Sequence, residues 1–287
     1  MKLKVNWLNY LHKLRSREIA AIFSSCPPRC FDNALELGAG DGFQSTLLAN
    51  YTRHLLCTEV DDKRLVKKDI QNVTYKVMNA QDIDRCLEYG SYDMVFFFFF
   101  LEHVHRREEL LQKICKVLND DGICVCVVPN VLLKLSWLVL FYPNQLIELL
   151  EVISNPGGLE RLYKRVHAEI FKGRQCDESS DIDITCLNNR KSKEKTFCQK
   201  YCWPTPHGEY SSNILELFAY RKNAWSSLIE KQGFNVISIL KMPVMSGYGF
   251  GWDLIRRLLE RMGLCSSYAF IFIKKGKISS YAKYWQK

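Results

Sequence analysis

One segment near the start of the chain combines a carboxylate with three closely spaced glycines. Its residues are Glu36, Gly38, Ala39, Gly40 and Gly42. Glycine lacks Cβ, so such a turn can take positive φ and bring backbone N–H groups close to a bound ligand. The dinucleotide fingerprint G-x-G-x-x-G would need its third glycine at position 43, which is Phe43. The spacing therefore argues against a pyrophosphate, and Glu36 favours a nucleotide-like ligand with a positively charged end. Taken alone, the glycine pattern fits a plain tight turn equally well.

A strand must precede this turn and a helix must follow it. Apolar runs rich in Val, Phe and Cys alternate with helical patterns through the first 130 residues, which is typical of βαβ units in a parallel sheet buried on both faces. The predicted strands are Ala34–Leu37, Leu55–Glu59, Thr74–Met78, Asp93–Phe98 and Ile123–Val128. The predicted helices are Gln44–Tyr51, Lys63–Asp69 and Arg107–Leu118, with a turn at Asn119–Gly122 before the fifth strand.

After Pro129 and Asn130 the alternation stops, and it resumes with a helix at Ile214–Lys231 and strands at Asn235–Lys241 and Ser267–Lys274. We therefore expect one α/β domain made of residues 1–130 and 213–287, with an inserted cap or acceptor segment at 131–212. The apolar part of this insertion, 131–153, is interrupted by Lys134 and Pro143 and is too short to span a bilayer. It is expected to cover the active site or lie on a membrane surface. The polar part, 173–200, is expected to be a mobile loop.

Charge is distributed unevenly along the chain. The formal net charge is +9; residues 1–150 hold 18 basic and 18 acidic side chains, whereas residues 151–287 hold 22 and 13. The excess is explained either by an anionic partner, such as a phosphorylated sugar, a lipid headgroup or a nucleic acid, or by a solvated basic surface. The first residues lack the apolar core and cleavage site of a secretory signal, so the expected location is the cytoplasm. Of the 12 cysteines, four fall in apolar runs, which favours reduced thiols: Cys57, Cys115, Cys124 and Cys126.

The segment from Glu36 to Gly42, E-L-G-A-G-D-G, resembles motif I of the class I S-adenosylmethionine-dependent methyltransferases, and the likeness extends over most of residues 30–130. This resemblance implies an α/β, Rossmann-like fold with a seven-stranded, mostly parallel sheet flanked by helices, and a helical or loop insertion after the fifth strand. It implies S-adenosyl-L-methionine as the cofactor, with Glu36 beside its ammonium and sulfonium groups.

The same resemblance assigns further cofactor residues. A carboxylate at the end of the second strand should hold the ribose hydroxyls. The sequence that follows Asp61 makes that residue the preferred one, and the loop length keeps Glu59 open as the alternative. Asn79, Ala80 and Gln81 stand where the family contacts adenine, although an Asx turn in a plain loop explains them as well. Among the five phenylalanines from Phe96 to Phe100, Phe97 or Phe99 is expected to border the cofactor and the others to be core.

The motif Leu101-Glu102-His103-Val104 follows the fourth strand. Small-RNA and ubiquinone-pathway O-methyltransferases hold a metal here on E-x-x-E-H, but Phe99 replaces the first Glu, so we predict no metal. His103 is expected to act as a general base, or else to cap the next helix or orient the strand.

His207 is the second candidate base, because Pro206–Tyr210 resembles the acceptor loop of small-molecule and glycan O-methyltransferases, as Pro129-Asn130 resembles their "vPN" segment. Glu209 would stand behind it; a plain loop histidine is the alternative. A zinc site on Cys176, Cys186, Cys198, Cys202 and His207 is disfavoured by its irregular spacing.

The sequence therefore predicts methyl transfer to an oxygen of a small-molecule, glycan or glycolipid acceptor. The N/D-P-P-Y/F segment of enzymes that methylate exocyclic amines of nucleic acids is absent after the fourth strand, so a nucleic-acid acceptor is disfavoured. Peripheral contact with a membrane is allowed by the apolar insertion and by the basic, aromatic C-terminal segment. The alternatives are a methyltransferase-like cofactor-binding subunit without activity, an O-methyltransferase of quinones or other small molecules, and a nicotinamide-dependent dehydrogenase.

Overall fold

The computed structural model describes residues 5–154, 157, 160 and 204–286. The predicted loop at 173–200 and the four cysteines of the disfavoured zinc site lie outside the described residues. The contacts divide the chain into two units, Met1–Ser136 with His207–Lys287, and Trp137–Pro206. None of the helices within the described ranges is both long and apolar enough to cross a membrane.

A seven-stranded sheet forms the centre of the larger unit, in the order β3-β2-β1-β4-β5-β7-β6. The strands are β1 (Phe31–Leu37), β2 (Thr52–Glu59), β3 (Val73–Val77), β4 (Tyr92–Phe98), β5 (Leu118–Pro129), β6 (Phe234–Lys241) and β7 (Ser267–Lys274). The first five strands are mutually parallel, and β7 lies antiparallel between β5 and β6. The predicted Rossmann-like fold with a seven-stranded, mostly parallel sheet is confirmed.

Helices cover the two faces of the sheet. They are α1 (Trp7–Ile22), α2 (Phe43–Leu48), α3 (Ile83–Cys86), α4 (Arg107–Val117), α5 (Val131–Ser154), α6 (Asn213–Ala219), α7 (Lys222–Lys231) and α8 (Asp253–Arg261). Short 3-10 turns occupy Ala49–Tyr51, Ala80–Asp82, Leu101–His103 and Ser280–Tyr284. Each face carries its own apolar core, and alternate phenylalanines of β4 enter opposite cores: Phe97 enters one, Phe96 and Phe98 the other.

The predicted helix at Lys63–Asp69 was wrong. Asp61 accepts hydrogen bonds from the backbone N–H of Lys63 with its side chain and from Arg64 and Leu65 with its carbonyl, which forms one isolated turn. The chain then runs without regular structure under the glycine turn, where a Cβ on Gly42 would stand 2.6 Å from the carbonyl oxygen of Val66. This contact fixes the path of the segment, and a short helix has too little stability of its own to compete.

Two further elements differ from the prediction. The helix expected at Ile214–Lys231 is divided into α6 and α7, because Tyr220 is buried at the break and stacks on Trp225 of α7. The expected turn at Asn119–Gly122 is an irregular stretch inside β5, where the register to β4 shifts between Tyr92 and Met94.

Candidate active site

The glycine turn connects β1 to α2 and is attached to the end of β2. The backbone N–H groups of Gly38 and Ala39 both donate to the carbonyl oxygen of Thr58, at 2.9 and 3.0 Å. The N–H of Gly40 donates to Glu59 Oε2 at 3.1 Å. The turn is therefore held by the neighbouring strand β2 rather than by its own hydrogen bonds alone.

Two glycines of the turn are needed for different reasons. Gly38 has a φ of 75°, and a Cβ there would stand 2.6 Å from the ring of Phe100, so a side chain would displace that ring. Gly40 has a φ of 55°, and a Cβ there would meet nothing within 4 Å. Gly40 thus borders open space at the C-terminal edge of the sheet, which is where ligands of doubly wound α/β folds bind.

Glu36 lies directly under the turn and is buried. Its Oε2 accepts hydrogen bonds from Ser45 Oγ of α2 and, at 3.2 Å, from Cys57 Sγ of β2. Its Oε1 is buried without a hydrogen-bond partner. Burial raises the pKa of Glu36 to about 7, against the lowering effect of the bonds from Ser45 and Cys57. The unpartnered oxygen can take a cationic donor, which would favour the ionised form.

Of the two carboxylates proposed for ribose, the structure brings Glu59 to the turn. Glu59 ends β2, is buried, and accepts from the N–H groups of Gly40 and Val60. Asp61 is exposed, and its side chain accepts from the N–H of Lys63 in the isolated turn. The preference for Asp61 therefore has no support in the geometry.

The segment after β3 forms the 3-10 turn Ala80–Asp82. The side chain of Asn79 accepts from the N–H of Gln81 at 3.0 Å, which is an Asx turn capping this element. The side chain of Gln81 donates to the carbonyl of Arg106, and its own carbonyl accepts from Lys113. Asn79 is exposed and Ala80 is half-buried, so both stay accessible to a ligand edge.

Phe97 was assigned wrongly to the cofactor border. Its side chain is fully buried and meets Phe272 of β7 edge to face at 6.4 Å. Both faces of the sheet are core, so alternation along β4 alone does not identify the residue at its end. The half-buried rings at that end belong to Phe99 and Phe100, and Phe100 packs on Gly38.

Helix α1 contributes two residues that the sequence did not identify. His12 Nε2 lies 2.7 Å from Asp41 Oδ2, and the imidazole stacks on Phe43 at 3.9 Å. Although desolvation opposes it, the hydrogen bonds from His12 and from the N–H of Phe43 hold the pKa of Asp41 below its usual value. Arg15 lies over the rings of Phe98 and Phe99, at 4.1 and 4.7 Å. Only the fold brings α1 to the turn, and no spacing in the sequence signals it.

A second cluster forms just beyond β4, at the 3-10 turn Leu101–His103. Glu102 is fully buried, and neither carboxylate oxygen has a hydrogen-bond partner. Burial raises the pKa of Glu102 to about 8. The ring of His103 lies 4.7 Å from the ring of His207, at a steep angle. One ligand atom from each of Glu102, His103 and His207 lies within 4.8 Å of the other two, so the three groups can share a proton network or a cation.

Both imidazoles of the cluster favour the neutral form. Desolvation, followed by the neighbouring His103, lowers the pKa of His207 to about 4. Desolvation also lowers the pKa of His103, against the opposing field of Glu209. At neutral pH each ring is therefore neutral, and a neutral imidazole has one basic nitrogen, the kind of group that accepts a proton or binds a metal.

The loop that carries His207 is fixed to the β4 turn by its backbone. Glu209 N–H donates to the carbonyl of Glu102 at 3.1 Å, and a Cβ on Gly208, whose φ is 87°, would collide with that carbonyl. The Glu209 carboxylate, expected behind His207, lies 3.8 Å from His105 Nδ1. Tyr210 bonds through its hydroxyl to Arg107.

A buried ion pair supports the same loop from α5 and α6. Glu216 is fully buried; both of its oxygens accept from the N–H of His207 at 3.0 Å, and Oε2 lies 2.5 Å from Lys134 Nζ. Lys134 also donates to Asn213 Oδ1 at 2.6 Å. Asn130 belongs to the Pro129-Asn130 segment that was predicted on the acceptor side. Its side chain accepts from the N–H of Leu133, which caps α5, and donates to the carbonyl of Cys265.

Comparisons with known proteins agree with this geometry. A methyltransferase domain family model matches residues 35–126. Two proteins from strains of Mycobacterium tuberculosis, each named "Probable S-adenosylmethionine-dependent methyltransferase", are 24% identical over 115 residues, which is 40% of this chain and 42% of each relative. The match thus spans less than half the length of these curated relatives.

Solved structures share the fold. A Listeria monocytogenes protein provisionally named an S-adenosylmethionine-dependent methyltransferase has a TM-score of 0.51 at 14% identity, over 91% of this chain and 98% of its own. A Haloferax volcanii structure, described as a complex of the Trm112 methyltransferase activator with a provisionally named methyltransferase, has a TM-score of 0.52 at 9% identity, over 94% of each chain.

The chain carries a class I S-adenosylmethionine-dependent methyltransferase domain. S-adenosylmethionine is accordingly its cofactor, and the residues at the turn of this methyltransferase domain fit that group. The space at Gly40 admits a ligand close to the backbone, and Glu59 offers a carboxylate beside it. The unpartnered oxygen of Glu36 suits a cationic ligand better than an anionic one.

Proposed function

We propose that this protein transfers a methyl group to an oxygen atom of a sugar, glycan or lipid-linked acceptor. The observation that carries the proposal is the pair of neutral imidazoles, His103 and His207, that stands beside the cofactor turn. Phe100 packs on Gly38 of that turn, and the 3-10 turn with His103 follows it at once. An imidazole at that place can take the proton that a hydroxyl loses as it is methylated.

Different residues of the site bind different parts of S-adenosylmethionine. Glu59 holds the ribose hydroxyls, because it is the carboxylate at the end of β2 that already meets the turn. Glu36 faces the ammonium end with its free oxygen. Asn79, Ala80 and Gln81 receive the adenine edge. When bound, S-adenosylmethionine would supply an electrophilic methyl group to the acceptor oxygen, with S-adenosylhomocysteine as the leaving group.

The two histidines take different parts. His207, whose pKa is about 4, is the weaker base, and its backbone is held by Glu216. His103 is shifted less and is the exposed member of the cluster, so it is the residue that meets the acceptor hydroxyl. Glu102, with a pKa of about 8, is largely protonated at neutral pH, so its carboxyl O–H, which has no partner in the ligand-free protein, can donate a hydrogen bond to the acceptor. Positioning of the acceptor supplies the rest of the rate enhancement.

Glycans and lipid-linked sugars fit the charge of the chain. The excess of basic side chains lies entirely in residues 151–287, the half that follows the cofactor residues. Phosphate or sugar-phosphate groups on the acceptor would be attracted to that half. The described cysteines are free thiols, which supports the cytoplasm as the compartment of this reaction.

The test is methyl transfer from tritiated S-adenosylmethionine to separate pools of glycolipid, soluble glycan, quinone, protein and RNA. Incorporation into glycolipid or glycan, lost in His103→Asn and retained in His105→Asn, supports the proposal. Turnover of a quinone, a protein or RNA with none of the sugar acceptors rejects the acceptor class. Binding of S-adenosylhomocysteine with no turnover of any pool supports the alternative, a cofactor-binding subunit that works with an activator as the Haloferax volcanii methyltransferase is described to do.

A divalent cation is the second candidate for activating the acceptor oxygen, and the convergence of Glu102, His103 and His207 favours it. Carboxylate and imidazole are ligands that zinc, iron and manganese accept. Metal analysis of the purified protein, before and after dialysis against a chelator, separates the two chemistries. Activity that survives removal of all metal supports the histidine base; loss of activity that returns with one added cation supports the metal.

A further inference from the structure

Helix α8 (Asp253–Arg261) exposes its large apolar side chains to solvent and buries an arginine. A helix on a globular protein normally packs its apolar side on the core and shows its charged side to water. Here Leu254 is 84% exposed, Leu258 57% and Met262, which follows the helix, 67%. Arg256 on the opposite side is only 7% exposed. The four-residue spacing of the exposed side chains places them in one row, so they form a continuous apolar ridge in solvent.

Cations border this ridge. Arg257 and Arg261 are exposed and lie beside the row of Leu254, Leu258 and Met262 at helical spacing. Trp252, immediately before the helix, is 38% exposed, and tryptophan favours the boundary between water and lipid. An apolar ridge with arginines along one edge is the pattern of helices that lie in a membrane interface.

A cavity of about 270 Å³ opens between α1 and the start of α8. Four of its lining side chains are cationic, Lys13, Arg17, Arg256 and Arg257, against the single carboxylate of Asp253. The lining is therefore strongly basic and suits an anion. Its size admits a phosphate group with part of the group attached to it.

The Arg256 side chain lines this cavity and is buried. Its guanidinium lies over the ring of Tyr10 at 4.4 Å and pairs with Asp253. Its Nε is buried and has no hydrogen-bond partner. A buried donor without an acceptor costs stability, and an anion in the cavity would supply the acceptor.

We propose that α8 docks on membranes that contain anionic phospholipids, with its apolar ridge in the interface and a headgroup phosphate in the cavity beside Arg256. The ridge consists of flexible aliphatic side chains with cations along its edge, which suits a fluid anionic surface. Interfaces between proteins are usually enriched in aromatic side chains at a buried centre. The binding strength of such a helix increases with the apolar area that it buries and with its attraction to anionic lipids. Each basic residue near the surface contributes to that attraction.

Helix α1 connects this surface to the methyltransferase site. Its residues Lys13 and Arg17 line the cavity, while His12 and Arg15 meet the glycine turn and the end of β4. One helix therefore separates the docking surface from the cofactor turn. A membrane-bound acceptor would stand close to the proposed active site, although the docking itself does not depend on the proposed reaction.

The experiment is vesicle flotation of the full chain with phosphatidylcholine alone and with phosphatidylcholine mixed with phosphatidylglycerol. We expect binding only to the mixed vesicles, weakened by salt. The variants Leu254→Ser with Leu258→Ser, and Arg257→Glu with Arg261→Glu, should each lower the partition coefficient by roughly tenfold or more. Ile278→Ser and Lys67→Glu change an equally exposed apolar and a basic side chain elsewhere and should bind as the natural chain does.

Three results would overturn the proposal. The first is absence of binding to anionic vesicles at low salt. The second is unchanged vesicle binding in both α8 variants. The third is titration of inorganic phosphate into the cavity, detected by calorimetry and lost in Arg256→Gln, while vesicles still do not bind, which would make this a site for a free anion. Light scattering of the same samples detects a second copy on the ridge, and a stable dimer abolished by Leu254→Ser with Leu258→Ser would also contradict membrane docking.

Discussion

The cofactor side and the acceptor side of this molecule are built in different ways. The cofactor side consists of the glycine turn, the ends of β1 and β2 and the turn after β3, and the groups proposed for it all lie between residues 36 and 81. On the acceptor side His103 meets His207, and the loop of His207 is held by Lys134 and Glu216. A site formed by one short stretch of sequence can be shared by all members of a family and bind their common ligand. A site formed by residues far apart in the chain can differ between proteins with the same fold.

If the acceptor side carries the chemistry, its histidines should affect turnover alone. His103→Asn should lower kcat by about 100-fold or more, because a positioned general base contributes at least that much. The affinity for S-adenosylhomocysteine, measured by calorimetry, should stay unchanged. His105→Asn is the matched control, since His105 is exposed and lies two residues away. Equal loss of affinity and turnover in His103→Asn would show that the two sides are not separate.

The ion pair beneath the His207 loop should affect stability strongly. Glu216→Ala removes one partner of a buried pair and leaves Lys134 charged in the core, at a cost of about 3–5 kcal/mol in the free energy of unfolding. Denaturant unfolding measures this cost. The double variant Lys134→Met with Glu216→Leu should recover part of the lost stability without recovering activity, because the His207 N–H still lacks its acceptor. Full activity in that double variant would contradict a positioning role for Glu216.

The sequence predicted the strands and the glycine turn of the cofactor side well because their contacts are local. Five apolar runs between turns located β1 to β5 closely, and the motif that follows β1 identified the turn. Phe97 failed because both sheet faces are core, so alternation gives two equivalent choices. The absence of a metal stays a prediction. Two ligands adjacent in sequence gave no sign that His207 would lie beside Glu102 and His103. Helix α8 went unpredicted, and a rule that places apolar residues inward would have given it the wrong face.

On the cofactor side, Glu59 and Asp61 offer a sharper test of what local sequence can decide. Glu59→Gln should weaken S-adenosylhomocysteine binding by about tenfold or more, because it replaces a charged acceptor of two hydroxyl hydrogen bonds with a neutral one. Asp61→Asn should change the affinity by less than about threefold, as expected for an exposed side chain occupied in its own turn. The reverse order of the two effects would restore the preference that the sequence gave to Asp61.

The smallest effect concerns the ionisation of Glu36. Because the pKa of this buried carboxyl is about 7, its contribution to the stability of the ligand-free protein is fully present below the ordinary pKa of 4.5 and is lost as pH rises through 7. A ligand ammonium prefers the ionised carboxylate, so affinity for S-adenosylhomocysteine should change in the opposite direction and rise with pH. At pH 6 about one molecule in ten has an ionised Glu36, which predicts a dissociation constant roughly tenfold above its value at pH 8. Calorimetry at the two pH values measures the ratio, and Glu36→Gln should bind weakly and equally at both. A ratio near one in the natural chain would place Glu36 outside the cofactor site and leave the turn to Glu59 alone.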